Sequence, residues 1–499
     1  MMVRVRRAFK IDQRLVFAGL IVLLLLKYLW PLLAYDVPLG YDAGIYRYLF
    51  LQHAKGFPPF LLGPLEPWAR GHPLGLFFFS TLLLRVGVPV DWLIGWIWNL
   101  MPVLLALTLA WVMARCDGKT RGLIILLLAI LSVAQFAGFL AMYWKTFVSL
   151  VFCTFTFHFL ERRSRWAILL GMFTVAVHQQ TGLLLGLTIL TLFVNACFKK
   201  GRISFDPEAQ YFFWTGAAVA VLGVAWYIPV FDQAVLIHLQ ALFSSFGSAV
   251  GNGITVDAGG GSFPEPQFFL LFEGPILLFG AAGFIESLRK EKGSPWQIAL
   301  LWSLLFIVLR LFFYRRFFLQ FEFFLLPFAA LGITKLWNAR AQWARAAVMI
   351  LLLAQAALTL KSISPRTSTL AAEPPIDASL FHSIEGLRKR IPANALVLAL
   401  EPDTAPWLLG WLPEQHVVSP GVFTSLWSKE EWELFLLGNY ADRQQLLRNI
   451  SGPVYIFASP LFYDYYGTYG KTFAADPCFV HLTTNLFQVR DACLRPRGR

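Results

Sequence analysis

The chain has 499 residues, of which 57% are hydrophobic and 14% charged, with a mean hydropathy of +0.61. Those proportions exclude an ordinary soluble globular protein, in which about 25% of residues are charged. The formal net charge of +13 does not mark a nucleic-acid binder, because the basic residues fall in short clusters between apolar runs, the arrangement that sets membrane topology.

Arg4, Arg6, Arg7 and Lys10 precede an apolar run over residues 15–34. Its length is near the roughly 20 residues that a bilayer requires, and no small-x-small cleavage site follows it, so an uncleaved first span is expected rather than a signal peptide. Further apolar runs occupy residues 92–114, 122–141, 146–160, 167–177, 181–198, 211–231, 267–288, 297–313, 317–336 and 346–360. The reading is an all-α polytopic membrane domain of about eleven transmembrane helices.

With the basic N-terminus inside, the clusters Arg115-Lys119-Arg121, Arg162-Arg163-Arg165, Lys199-Lys200-Arg202, Arg289-Lys290-Lys292 and Arg340-Arg345 share its side only if residues 73–88 do not cross fully. That stretch opens at Gly71-His72-Pro73, is interrupted by Arg85 and ends at Gly87, which suits an interfacial or re-entrant helix. Residues 35–91 then form one long outer loop. Residues 142–145, 178–180, 232–266 and 314–316 also face outward.

After Lys361 the composition becomes that of a soluble protein, entered through Ser364-Pro365 and Pro374-Pro375. The expected division is therefore a membrane domain over residues 1–361, with outer loop 35–91, and an extracytoplasmic domain over residues 362–499. Strands over residues 395–400 and 454–459 and helices over 381–389 and 429–448 suggest a small α/β module. Extended segments 479–482 and 487–490 read as a hairpin. Cys478 and Cys493 bracket it and could pair in an oxidising outer compartment. Cys116, Cys153 and Cys197 lie in or beside apolar runs, where a free thiol behaves as a small hydrophobe.

The first outer loop concentrates Asp36, Asp42, His53, Glu66, Arg70 and His72 among aromatic residues, Gly and Pro. In Gly40-Tyr41-Asp42-Ala43-Gly44-Ile45-Tyr46, an acid stands just before an amphipathic helix. Asp42 could cap that helix, satisfying free backbone N–H groups, or serve as a catalytic base; the two roles can coexist.

In these features the chain resembles the GT-C superfamily of polyprenyl-phosphate-dependent glycosyltransferases, which includes protein O-mannosyltransferases, lipid A aminoarabinose transferases and the catalytic subunit of oligosaccharyltransferase. Shared are the first span, the long outer loop with an early Gly-x-Asp (Gly40-Tyr41-Asp42), a later His-Pro-Leu (His72-Pro73-Leu74) opening an interfacial helix, the many spans and the outward C-terminal domain. The sequence has Asp42-Ala43 where an Asp-Glu pair is commoner, and a single proline after His72 where two are frequent. The resemblance implies transfer of a sugar from a polyprenyl-phosphate donor to a glycan, lipid or protein acceptor at the outer face of the cytoplasmic (inner) membrane, with Asp42 as base.

A departing lipid phosphate asks for cations. Tyr314-Arg315-Arg316-Phe317 supplies two arginines at an outward turn, against the positive-inside trend, and guanidinium pairs well with phosphate. Snorkelling of Arg315 and Arg316 to the headgroups is the plainer reading. Lys145, beside Tyr143 and Trp144, and His178, beside Gln179 and Gln180, stand at outer span ends, either lining a cavity that faces Asp42 or anchoring the interface; His72 is a further candidate for binding substrate or lipid phosphate. Glu265 and Glu273 flank Pro266 after the Gly-rich stretch 251–262, expected to be mobile; Glu265 is a candidate for an acceptor-binding loop. Some members of the superfamily use a divalent cation such as Mg or Mn. Asp42, Asp36, His53 and His72 could in principle hold one, although their spacing matches no zinc pattern.

Two other classes remain open. A multi-pass transporter or flippase also needs many spans and buried polar groups, but no Gly- or Pro-broken spans recur in two similar halves. A scaffold binding an envelope partner through its C-terminal domain would not need the acid-rich loop.

Overall fold

The computed structural model describes residues 12–56, 65–198, 204–236, 263–290, 293–311, 313–363, 374–423 and 426–494. The Gly-rich stretch 251–262, Arg4, Arg6, Arg7, Lys10 and Lys199-Lys200-Arg202 lie outside them. The described residues form two compact units. One is drawn from Met1–Ala34, Pro73–Leu76 and Trp96–Ala372, the other from Tyr35–His72, Phe77–Gly95 and Glu373–Arg499. The second unit thus combines much of the first long loop with the C-terminal segment.

In the first unit every apolar run carries a helix. Gln13–Ala34, Gln179–Phe198, Pro266–Lys290, Tyr314–Trp337 and Gln342–Ile363 are long and apolar enough to cross a membrane. At about 1.5 Å per residue each reaches the roughly 30 Å of a hydrocarbon core. Val90–Ile97 with Met101–Asp117, and Lys119–Leu131 with Val133–Leu140, qualify as broken spans, the latter bent by 55°. Trp144–Glu161, Trp166–Val177, Pro207–Ala225 and Pro295–Val308 occupy the remaining runs. Leucines on the first helix face outward from the protein, Leu15, Leu23 and Leu26 among them, as lipid contact requires. Exposed Trp166, Trp337 and Trp343 stand beside the basic clusters at helix ends, where amphipathic rings suit the headgroup level.

The break at Ser132 divides residues 122–141, which the sequence presents as one continuous apolar run. Ser132 is extended (φ −68°, ψ 121°) and its hydroxyl caps the second half by accepting from Gln135 N. Neither Gly nor Pro marks the break, because the backbone groups it frees are satisfied by side chains of other helices. Tight crossings occur elsewhere at glycines: a Cβ on Gly283 would fall 1.8 Å from the Phe328 carbonyl oxygen, and one on Gly332 2.2 Å from that of Phe279. The helices carrying them therefore approach backbone to backbone.

In the second unit the sheet contains β1 (Leu396–Ala399), β2 (His416–Val418), β3 (Val454–Phe457), β4 (Phe479–His481) and β5 (Leu486–Val489), in the order β2-β1-β3-β5-β4. β1 pairs in parallel with β2 and β3, whereas β3–β5 and β5–β4 are antiparallel. The expected strands and terminal hairpin are present, and β2 is an addition. The helix anticipated over 429–448 is two, Lys429–Leu437 and Tyr440–Leu447. Gly438 is extended there, and Asn439 with Asp442 forms a capping box that starts the second helix. Cys478 and Cys493 form a disulfide within a core that also contains Trp432, Phe435, Phe473 and Phe487.

The stretch 73–88 holds the 12-residue helix Leu74–Arg85. At about 18 Å it is too short to cross a bilayer.

Candidate functional site

In the second unit, Gly40 adopts φ 86°, a left-handed turn that glycine enters without steric cost, and Asp42 follows two residues later. The helix Ala43–Lys55 starts immediately after Asp42, yet the Asp42 carboxylate makes no capping hydrogen bond. Capping therefore does not account for it, and the side chain is exposed. Tyr41 Oη donates to the Pro402 carbonyl at 2.9 Å. Burial, with the neighbouring carboxylates of Asp403 and Asp42, pushes the Tyr41 phenol up to about 12. The acidic turn thus lies at the carboxyl end of β1, the edge at which parallel sheets commonly bind ligands.

The helix behind Asp42 is held closely. A Cβ on Gly44 would lie 1.8 Å from the Pro406 carbonyl oxygen, and one on Gly410 2.5 Å from Gly44 Cα. The helices Ala43–Lys55 and Ala405–Trp411 consequently cross glycine on glycine. Arg47 donates to Asp91 Oδ1 at 2.8 Å and to the Gly410 carbonyl at 2.7 Å, with its guanidinium 5.0 Å from the Trp411 ring centroid. Gln52 Nε2 donates to the Pro413 carbonyl at 2.9 Å.

His53 and His72 both lie against Phe77. His53 stacks on that ring at 4.4 Å, and His72 is tilted to it at 6.0 Å. Burial pushes His53 down to about 4, holding it neutral, and its Nε2 has no hydrogen-bond partner among the described residues. Asp36 is exposed. Among the described residues no three His, Cys, Asp or Glu side chains are grouped to hold a metal ion. Asp42, Asp36, His53 and His72 therefore form no three-ligand group among the described residues.

In the first unit, the other candidates gather near the start of the helix Trp144–Glu161. Arg315 pairs with Glu265 at 2.8 Å, joining two residues that the sequence offered separately. Arg316 lies 5.6 Å from the Tyr143 ring centroid and 5.1 Å from that of Phe313. Its buried Nε finds no partner among the described residues. Lys145 follows Tyr143 by two positions, and Trp144 Nε1 donates to Asn99 Oδ1 at 2.9 Å. His178 sits between two helices, with Nδ1 2.9 Å from Thr181 Oγ1 and Nε2 3.5 Å from Thr146 Oγ1. Gln320 Nε2 also reaches Thr181 Oγ1, at 3.0 Å. His178 is thus built into a hydrogen-bonded network beneath this surface. Glu273, which the sequence set beside Glu265, is instead inside the helix Pro266–Lys290 and 1% exposed.

An apolar groove of about 650 Å³ runs between the helices Trp166–Val177, Gln179–Phe198 and Pro207–Ala225, lined by Gln179, Gly182, Gly186, Gly216, Ala220 and Tyr227 among others.

The sequence offered Asp42 and Arg316 as candidates by position and Tyr143 as an interface anchor, but nothing in it singled out Arg47, Gly44 or Gly410. Their roles depend on partners distant in sequence.

A helical membrane unit joined in sequence to a small mixed sheet defines the class of fold. No family model matches the sequence, and no curated protein is significantly similar to it. Among solved structures, the chain is similar to ArnT from Cupriavidus metallidurans, an aminoarabinose transferase, in the apo state (TM-score 0.61, 10% identity, 97% of this chain and 99% of that one). The ArnT structure bound to undecaprenyl phosphate matches with TM-score 0.57, 11% identity and the same coverage. The oligosaccharyltransferase of Archaeoglobus fulgidus, in complex with Zn and sulfate, matches with TM-score 0.60, 14% identity, 89% of this chain and 68% of that one. The chain shares its fold with these two transferases.

Proposed function

We propose that the protein is an inverting glycosyltransferase that moves a sugar from a polyprenyl-phosphate donor to an acceptor hydroxyl or amide at the extracytoplasmic face of the cytoplasmic membrane. The observation that carries the reading is the exposed, non-capping Asp42, placed at the head of a rigidly held helix in a chain with the GT-C fold. As general base, Asp42 takes the acceptor proton while the acceptor atom bonds to the sugar's anomeric carbon; the bond from that carbon to the phosphate oxygen breaks, and polyprenyl phosphate leaves. Arg316 is the best cation for the departing phosphate, because its guanidinium is oriented by two rings and retains a buried Nε–H. Arg315 and Lys145 add positive charge, and His72 and His178 support the polar surroundings. Glu265 is assigned to the acceptor and the apolar groove beside Gln179 to the isoprenoid chain. The C-terminal domain faces outward by charge parity.

The test uses purified full-length protein in proteoliposomes, with undecaprenyl phosphate as the binding probe and a lipid-linked sugar fraction extracted from the producing cells as donor. Asp42→Asn is expected to keep undecaprenyl phosphate binding and to reduce sugar transfer roughly 100- to 10,000-fold, the range expected for loss of a general base. Undiminished transfer by this variant would overturn the reading.

A further inference from the structure

We infer that the membrane-spanning unit binds a proton between Glu273 and Glu322, at the break separating the helices Lys119–Leu131 and Val133–Leu140. The inference does not depend on sugar transfer.

The break frees backbone groups within the span, and charged side chains answer them. Lys27 Nζ donates to the carbonyls of Ala129 and Ser132, at 3.1 and 2.5 Å. Gln355 Nε2 and Thr359 Oγ1 donate to the carbonyl of Leu131, at 2.9 and 2.5 Å. On the other half, Glu273 Oε1 accepts from Ala134 N at 2.5 Å, and Glu322 Oε2 accepts from Gln135 Nε2 at 3.0 Å. The ammonium therefore meets the negative end of one half-helix and a carboxylate the positive end of the other.

Charge balance is incomplete. Lys27, Glu273 and Glu322 are 6%, 1% and 0% exposed, so two carboxylates face one ammonium away from water. Tyr28, on the same helix as Lys27, is the other titratable neighbour. The residues contributed by the adjoining helices, Ser132, Gln135, Gln355 and Thr359, carry no charge. Glu273 Oε2 and Glu322 Oε1 are buried without a hydrogen-bond partner among the described residues. An excess negative charge in this setting is strongly unfavourable, and one bound proton removes it. The backbone oxygens that could complete a shell around a metal cation already accept from Lys27, Gln355 and Thr359. Glu273 holds a backbone N–H at a helix N-terminus and Glu322 faces a neutral amide; a proton on Glu273 Oε2 or Glu322 Oε1 turns a buried acceptor into a donor.

The test is infrared difference spectroscopy on the full-length protein, following the carboxylic-acid C=O stretch that an ionised carboxylate lacks. The wild type should show one such buried group, sensitive to exchange into D2O. Glu322→Gln and Glu273→Gln should each remove it, since either leaves one carboxylate opposite Lys27. Lys27→Met should double it, because two carboxyls then lack a cation. Dicyclohexylcarbodiimide provides a second measurement on the unaltered protein: the acid proton moves to a carbodiimide nitrogen, the carboxyl oxygen adds to the central carbon, and rearrangement gives a stable N-acylurea. Mass spectrometry should find the adduct on Glu322 or Glu273, with sodium giving no protection. A band unchanged in both Gln variants, labelling at neither glutamate, or protection by sodium would overturn the proposal.

Discussion

Arg316 and Arg315 are adjacent in sequence and unlike in circumstance. Arg315 is committed to Glu265, whose side chain is 58% exposed, and such solvent-exposed pairs are worth at most about 1 kcal/mol. Arg316 is held instead against the Tyr143 and Phe313 rings, and a hydrogen bond from its guanidinium to a charged group contributes about 1.5–3 kcal/mol. Arg316→Ala should therefore weaken undecaprenyl phosphate binding roughly 10- to 100-fold, and Arg315→Ala by less, as measured by titration in detergent. His53 makes a different prediction. Its folded value of about 4 lies below the ordinary 6.5, so the unfolded chain takes up a proton that the folded one refuses. The stability this contributes is fully present above pH 6.5, falls as pH drops through that window, and is lost near pH 4. The shift corresponds to about 3 kcal/mol. His53→Phe, which keeps the stack on Phe77, should flatten this acid limb in thermal unfolding between pH 6.5 and 4. An unchanged limb would show that the ring is not held neutral. The acidic turn was legible in the sequence because Gly40 and Asp42 announce a turn before a helix. The environment of His53 was not, since burial against Phe77 leaves no local mark.

Between elements, the Gly44–Gly410 crossing has the least tolerance. A methyl group on Gly44 would overlap a backbone oxygen that no side-chain rotation can move. Gly44→Ala should accordingly cost more than about 3 kcal/mol, above the usual range for overpacking, and lower the thermal transition. Gly386→Ala, with nothing within 4 Å of the added Cβ, serves as a neutral or stabilising control. Element positions were largely readable: the apolar runs became helices, and short apolar stretches marked β1, β3 and the terminal hairpin. Three features escaped. β2 has only three residues, Gly438-Asn439 divides a continuous helical pattern, and the break at Ser132 is sealed by Lys27, Glu273 and Gln355 from helices far away in sequence. Local propensity carries no information about such partners.

For the whole molecule, the disulfide offers a test of the C-terminal segment. Cys478 and Cys493 are separated by 15 positions, and closing a loop of that length stabilises by about 3 kcal/mol through the unfolded state. The Cys478→Ser/Cys493→Ser pair, or reduction of the native protein, should lower the denaturation midpoint by a corresponding amount. An unaltered midpoint would show that the bond does not constrain this region. The sequence could bracket the hairpin with these cysteines because both were near it in the chain. It could not show that the first long loop would be grouped with them, since that depends on contacts such as Tyr41 with Pro402 and Arg47 with Gly410.

That grouping sets an order of events during biosynthesis. Residues 35–72 and 77–95 belong to the same compact unit as the segment after Glu373, so the early part waits while the intervening spans are made. At about 5–20 residues per second, the delay is on the order of tens of seconds. Throughout that interval the glycine face of the Asp42 helix is without its counterpart, exposed to chaperones and proteases. Truncation before Ala405 would prolong the exposure indefinitely, and the nascent protein's lifetime would then be governed by its missing end.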